Sequence, residues 1–120
     1  MKKITVLILL AIAALYVSCS SNSYKNTEVS LPNLLDRADG VYRGEYSLSG
    51  TPVRVVLDVI LKNHTITSIN IVRHVSSPIG KKAERIIEDV IEQQSLNVDV
   101  VSGATGSSIA ILKATENALQ

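Results

Sequence analysis

Near the C-terminus, the run Asp99-Val100-Val101-Ser102-Gly103-Ala104-Thr105-Gly106-Ser107-Ser108 holds the densest group of side chains suited to chemistry. Small residues fill positions 102–108, so the backbone there can bend tightly and approach another group without side-chain obstruction. Four hydroxyls, on Ser102, Thr105, Ser107 and Ser108, gather just ahead of the start of a predicted helix. Free N–H groups and the positive end of the helix dipole favour an anion at such a place, and a phosphate fits it. Ser-Gly and Gly-Ser-Ser before a helix are also ordinary turn and N-cap residues. The segment by itself leaves both readings open.

Other reactive side chains are sparse. His64 and His74 fall in turn and strand contexts, and neither joins a Ser-His-Asp or Cys-His grouping, so no catalytic residue is assigned. His74 is expected to be an exposed structural histidine, with a place lining the pocket of a bound ligand as the other reading. Glu84 and Glu88 stand one helical turn apart and read as a solvated face. The sole cysteine, Cys19, permits no internal disulfide. Two histidines and one cysteine make no metal site.

The elements that must position the small-residue segment follow from periodicity. Val53, Val55, Leu57, Val59 and Leu61 alternate with Arg54, Val56, Asp58, Ile60 and Lys62, which predicts a strand with one wholly apolar face. Lys62-Asn63-His64 turns the chain and 65–74 returns. A three-residue turn sets Leu57 opposite Ile69 and Val55 opposite Ile71, whereas a two-residue turn sets Leu57 opposite Asn70. Matching apolar faces favours the first, with Asn63 or His64 at positive φ. Asp39-Gly40-Val41-Tyr42-Arg43-Gly44-Glu45-Tyr46 suggests a turn entering an earlier strand. Ser76-Ser77-Pro78-Ile79-Gly80 breaks the sheet pattern. Ala83, Ile86, Ile87, Val90 and Ile91 then recur at helical spacing. A short strand is expected at 98–101, then a closing helix over roughly 108–119 that buries Ile109, Leu112 and Leu119 or an adjacent stripe. The order predicts an α+β fold, a small antiparallel sheet with a central hairpin packed against two helices.

The chain has 120 residues, enough for one domain. Without Phe or Trp, its core must be built from Val, Ile, Leu and Ala. Lys2-Lys3 precede the almost unbroken apolar run Ile4–Val17, which is short for a membrane span and closely followed by polar sequence. A secretory signal peptide over 1–18 fits it. Val17-Ser18-Cys19 resembles a lipobox, with Tyr16 where Leu is usual, so Cys19 is expected to carry lipid. An uncleaved signal anchor and ordinary cleavage with a free thiol are the alternatives. Residues 19–38, polar and small at first, are expected to form a flexible tether below a folded unit of 39–120. Leu31-Pro32-Asn33-Leu34-Leu35 interrupts that polarity and could dock. Losing Lys2 and Lys3 leaves ten basic residues against eleven acidic ones, which gives no field for nucleic acid.

Asp99-Val100-Val101-Ser102-Gly103-Ala104-Thr105 followed by Gly106-Ser107-Ser108 resembles the flavinylation motif of the FMN-binding domain family, which includes subunits of sodium-pumping quinone reductases and related membrane electron-transport complexes. The likeness extends to 39–46, to Ile66-Thr67-Ser68-Ile69 with His74, to Gly80-Lys81-Lys82-Ala83-Glu84, and to Gln94-Ser95-Leu96-Asn97-Val98-Asp99. His64 stands where many members have glycine in the hairpin turn, which implies only a local effect. The resemblance implies FMN joined through its phosphate to Thr105, with Asp99, Ser102, Gly103, Ala104, Ser107 and Ser108 around it. It also implies a separate flavin transferase that uses FAD after export, and redox donor and acceptor proteins or a membrane quinone-linked complex as partners. The implied protein is an extracytoplasmic, lipid-anchored electron carrier rather than an enzyme. Tyr42 or Tyr46 would stack on the flavin only if the fold brought them near. A lipoprotein that binds FMN reversibly, and a non-redox scaffolding or adhesive lipoprotein, are the competing expectations.

Overall fold

The computed structural model describes residues 28–120. The expected signal peptide 1–18, the lipidation site Cys19 and the start of the tether lie outside the described residues. Three strands, β1 (Gly40–Ser47), β2 (Arg54–Lys62) and β3 (Thr65–Val75), form one antiparallel sheet in the order β1-β2-β3. A 3₁₀ turn (Gly80–Arg85) leads into α1 (Ile86–Gln93), and α2 (Thr105–Leu119) closes the chain. The α+β class, the central hairpin and the two helices are as the patterning predicts.

Alternation in β2 does what its period requires. Val55, Leu57, Val59 and Leu61 are buried on one face, and the helices cover them. The hairpin turn differs from expectation. It has two residues, Asn63 (φ 51°) and His64 (φ 61°), with Lys62 opposite Thr65. Two consecutive left-handed residues suit a tight hairpin, and Asp39 Oδ1 accepts the Asn63 N–H at 2.8 Å. The parity argument for a third turn residue is met instead by a β-bulge: Leu61 faces Ile66 but Ile60 faces Ser68, so Thr67 is the extra residue. Beyond it Val59 pairs with Ile69 and Leu57 with Ile71, which keeps the apolar faces together. A second bulge at Val72 puts Arg73 opposite Val56 and His74 opposite Val55.

α2 is buried around nearly its whole circumference, from Ser107 to Leu119, rather than along one stripe. It lies close to β1 because Gly44 has no side chain; a Cβ there would overlap the Ala114 carbonyl oxygen and crowd Ala118. Two of its buried polar groups are paired. Thr115 donates to the Ile111 carbonyl at 2.8 Å. Glu116 accepts from Lys113 Nζ at 3.0 Å and from the Ser30 amide at 2.7 Å.

Two expectations about connecting segments are corrected. The strand expected at 98–101 does not form: among the described residues the sheet has three strands, and Val101 gives its amide to Ser108 Oγ at 3.1 Å. The tether does not extend to 38, because Leu34 is buried and Val29 and Leu31 pack against the core. The His64 ring nitrogen Nδ1 donates to the Leu34 carbonyl at 3.0 Å, so this histidine also fastens the docked segment.

Candidate functional site

The small-residue segment folds as a tight turn feeding directly into α2. Ala104 donates its amide to the Val101 carbonyl at 2.9 Å, closing a turn over Ser102 and Gly103. Gly103 sits at φ +79°, which a type II turn demands at that position and glycine adopts without penalty. A side chain there would meet only Ile79 Cγ2, at 3.8 Å, so the space over the turn is open.

Thr105 is the first residue of α2, not a residue ahead of it as expected, and the helix begins three residues earlier than 108. No side chain among the described residues caps this end. The first backbone bond of the helix is Ser108 N–H to the Ala104 carbonyl, at 2.9 Å. The amides of Thr105, Gly106 and Ser107 therefore precede the helical ladder and project from its end.

The segment separates into two faces. Ser102 and Gly103 are exposed, and Thr105 and Gly106 are half-buried, so these four border the open side. Asp99 is also exposed. Ala104, Ser107 and Ser108 are buried beneath. Ser108 Oγ donates to the Ala104 carbonyl at 2.7 Å while accepting the Val101 amide, so its hydroxyl fastens the turn to the helix. Ser107 packs against Gly80, where an added Cβ would stand 2.7 Å from Ser107 Oγ. The expected cluster of four hydroxyls at one opening thus becomes two near solvent and two behind.

Residues outside the motif complete the surroundings. Leu48, just past β1, lies under Gly106, with 3.1 Å separating its Cδ2 from a Cβ placed there. Ile79, in the loop after β3, stands beside Gly103 with 57% of its surface exposed. An apolar side chain so exposed beside an uncapped helix end gives the site a greasy shoulder and a polar floor. Neither residue is singled out by periodicity; the break at Ser76-Ser77-Pro78 was the available signal. Tyr42 does not belong to the site, since its hydroxyl donates to the Ala38 carbonyl at 2.6 Å and Arg37 lies 5.9 Å from its ring centre. Tyr46 is half-buried against the core.

His74 is not the exposed residue expected. Its side chain is 1% exposed, and Nδ1 donates to Glu84 Oε1 at 2.9 Å. Its Nε2 is buried without a partner among the described residues. Glu84, expected on a solvated face, is half-exposed and committed to this contact.

The chemistry of this segment suits an anion such as a phosphate: free amides and the helix dipole stand at its end, a half-exposed hydroxyl lies on Thr105, and the apolar Ile79 stands beside it. Residues 49–120 match the family model described as the FMN-binding domain. The match covers β2 through α2 and leaves the opening segment 39–46 outside it. No curated protein matches the chain.

Proposed function

Because the chain belongs to the FMN-binding domain family, we propose that it is an exported, membrane-anchored electron carrier with FMN esterified through its phosphate to Thr105. The observation that carries this reading is the placement of Thr105 as the first, half-exposed residue of an uncapped helix, next to an open glycine turn. In attachment, the Thr105 hydroxyl oxygen forms the new O–P bond to the flavin phosphate of FAD. The bond between the two FAD phosphates breaks, AMP leaves, and the hydroxyl proton is released. A flavin transferase outside the cell supplies the catalysis.

After attachment the chain acts through position. The amides of Thr105, Gly106 and Ser107 offset the phosphoester charge, and Gly103 lets the nucleotide pass over the turn without collision. Ser108 and Ser107 hold the turn from behind. Ile79 would offer an apolar contact to the ring. FMN, when bound, supplies reversible transfer of one or two electrons, and the chain contributes no group that turns over. Covalent attachment suits a protein working where lost flavin is not replaced. Lipid on Cys19 would keep the carrier beside membrane redox partners, donor and acceptor proteins or a quinone-linked complex.

The test is mass spectrometry of the tryptic peptide Ile86–Lys113 from the full chain exported alongside a flavin transferase. A flavin-phosphate adduct on Thr105, absent in Thr105→Ala, is the expected result. Flavin released intact by acid precipitation, with an unmodified peptide, defeats the covalent reading.

A further inference from the structure

We propose that His74 is a positioning residue of the flavin site, acting through Glu84 to hold the loop that carries Ile79 beside Gly103 and Thr105. The inference rests on the flavin reading above.

The sheet spends an irregularity on placing this histidine. Along β3, Ile69 and Ile71 face the core opposite Val59 and Leu57. Strict alternation would bring Arg73 inward next. The bulge at Val72 shifts the register by one, so Arg73 pairs outward with Val56 and His74 turns in opposite the fully buried Val55. Bulges re-aim single side chains in this way beside functional sites. A leucine would fill that interior position without leaving a polar atom unpaired, yet His74 Nε2 is buried and has no partner among the described residues.

The other ring nitrogen explains the placement. His74 Nδ1 donates to Glu84 Oε1 at 2.9 Å, joining the end of β3 to the 3₁₀ turn ten residues on. Between these two residues lies the loop 76–79. Ser77 holds its interior, accepting the Gly80 amide on Oγ at 3.1 Å and the Lys81 amide on its carbonyl at 3.1 Å. Gly80 seats the loop against Ser107 in the first turn of α2, where an added Cβ would overlap Ser76 Oγ and stand 2.7 Å from Ser107 Oγ. Ile79, exposed, lies beside Gly103. Three fastenings therefore set one exposed side chain against the motif, and the His74–Glu84 bond is the one at the base.

Three variants separate this role from general stability. Glu84→Ala removes the acceptor at a half-exposed position, and His74→Leu removes the donor. His74→Asn keeps an N–H near the Nδ1 position and deletes Nε2. In the full chain before flavin is attached, Glu84→Ala is expected to speed hydrogen exchange at the Gly80 and Lys81 amides. In flavin-loaded protein it is expected to lose the visible circular dichroism of the bound ring, and His74→Asn to retain it. Wild-type exchange and wild-type dichroism in Glu84→Ala overturn the proposal, even if His74→Leu fails to fold. Loss of dichroism in His74→Asn to the same extent as in Glu84→Ala overturns the brace and assigns the effect to Nε2. Failure of the underlying flavin reading is recognised separately, as wild-type protein carrying no adduct on Thr105, and the exchange measurement on unloaded chain still decides the brace.

Discussion

Ser108 Oγ stands between two backbone groups of the motif, accepting the Val101 amide at 3.1 Å and donating to the Ala104 carbonyl at 2.7 Å. One hydroxyl thereby joins the residue before the glycine turn to the helix after it. Ser108→Ala leaves the Val101 amide without a partner in a buried setting. The expected cost is about 1–3 kcal/mol of unfolding free energy, read as a lower denaturant midpoint at unchanged slope. An unchanged midpoint would show that water reaches that amide.

Gly44 carries the close approach of α2 to β1. Gly44→Ala forces a methyl group into the Ala114 carbonyl, which lies on helix backbone and cannot swing aside. A loss of about 1–3 kcal/mol is expected from overpacking of this kind, measurable as a depressed Tm. A neutral result would mean that α2 slides along the sheet at little cost.

Gly103 tests the turn without touching the packing. Space around it is open and its φ is +79°, so Gly103→Ala meets backbone strain alone, on the order of 1–2 kcal/mol. Gly50, at φ +74° in the loop after β1 with nothing near it, provides the control. Both alanine variants should lose similar stability, but only Gly103→Ala should lower the yield of Thr105 flavinylation.

Ile79 is exposed and contributes little to the core. Ile79→Asp should therefore leave the thermal midpoint nearly unchanged. It should raise the accessibility of attached flavin to a soluble fluorescence quencher. Quenching equal to that of wild type would remove Ile79 from the site.

On the outer face of the sheet, Arg43 Nε and Nη2 grip the Asp58 carboxylate at 2.8 and 3.0 Å. The hydrogen bonds from Arg43 hold the Asp58 carboxyl below its ordinary range. A carboxyl depressed in the folded state adds stability above its unfolded pKa, and that stability is lost as pH falls through the folded value. Asp58→Asn should accordingly be slightly less stable than wild type near neutrality and lose less on acidification, so that the two unfolding curves converge below the usual carboxylate range. The pair is exposed, so salt should shrink the effect further.

Much of the fold was legible because single residues reveal periods. Val55, Leu57, Val59 and Leu61 announce a buried strand face by alternation alone, and Ala83, Ile86, Val90 announce a helix. α2 was harder to delimit because its polar residues are internal: Ser108 and Thr115 bond to backbone one turn earlier. Such self-satisfied hydroxyls read in sequence as a loop or a solvent face. The site was half legible. Ser102, Gly103 and Thr105 border one open turn at the start of α2, while Ile79 and Gly80 meet that segment through contacts that no local pattern encodes.

Local chemistry is what the amino-acid order determines by itself: which stretches alternate, where glycine permits a sharp turn, and where a hydroxyl precedes a helix. These depend on a residue and its near neighbours. Register and inwardness are settled only when strands pair and pack. A two-residue turn corrected by one bulge preserves the apolar face, and a second bulge sends His74 inward in place of Arg73. Both outcomes balance burial across three strands and a helix at once, so only the assembled sheet, with α2 against it, decides them.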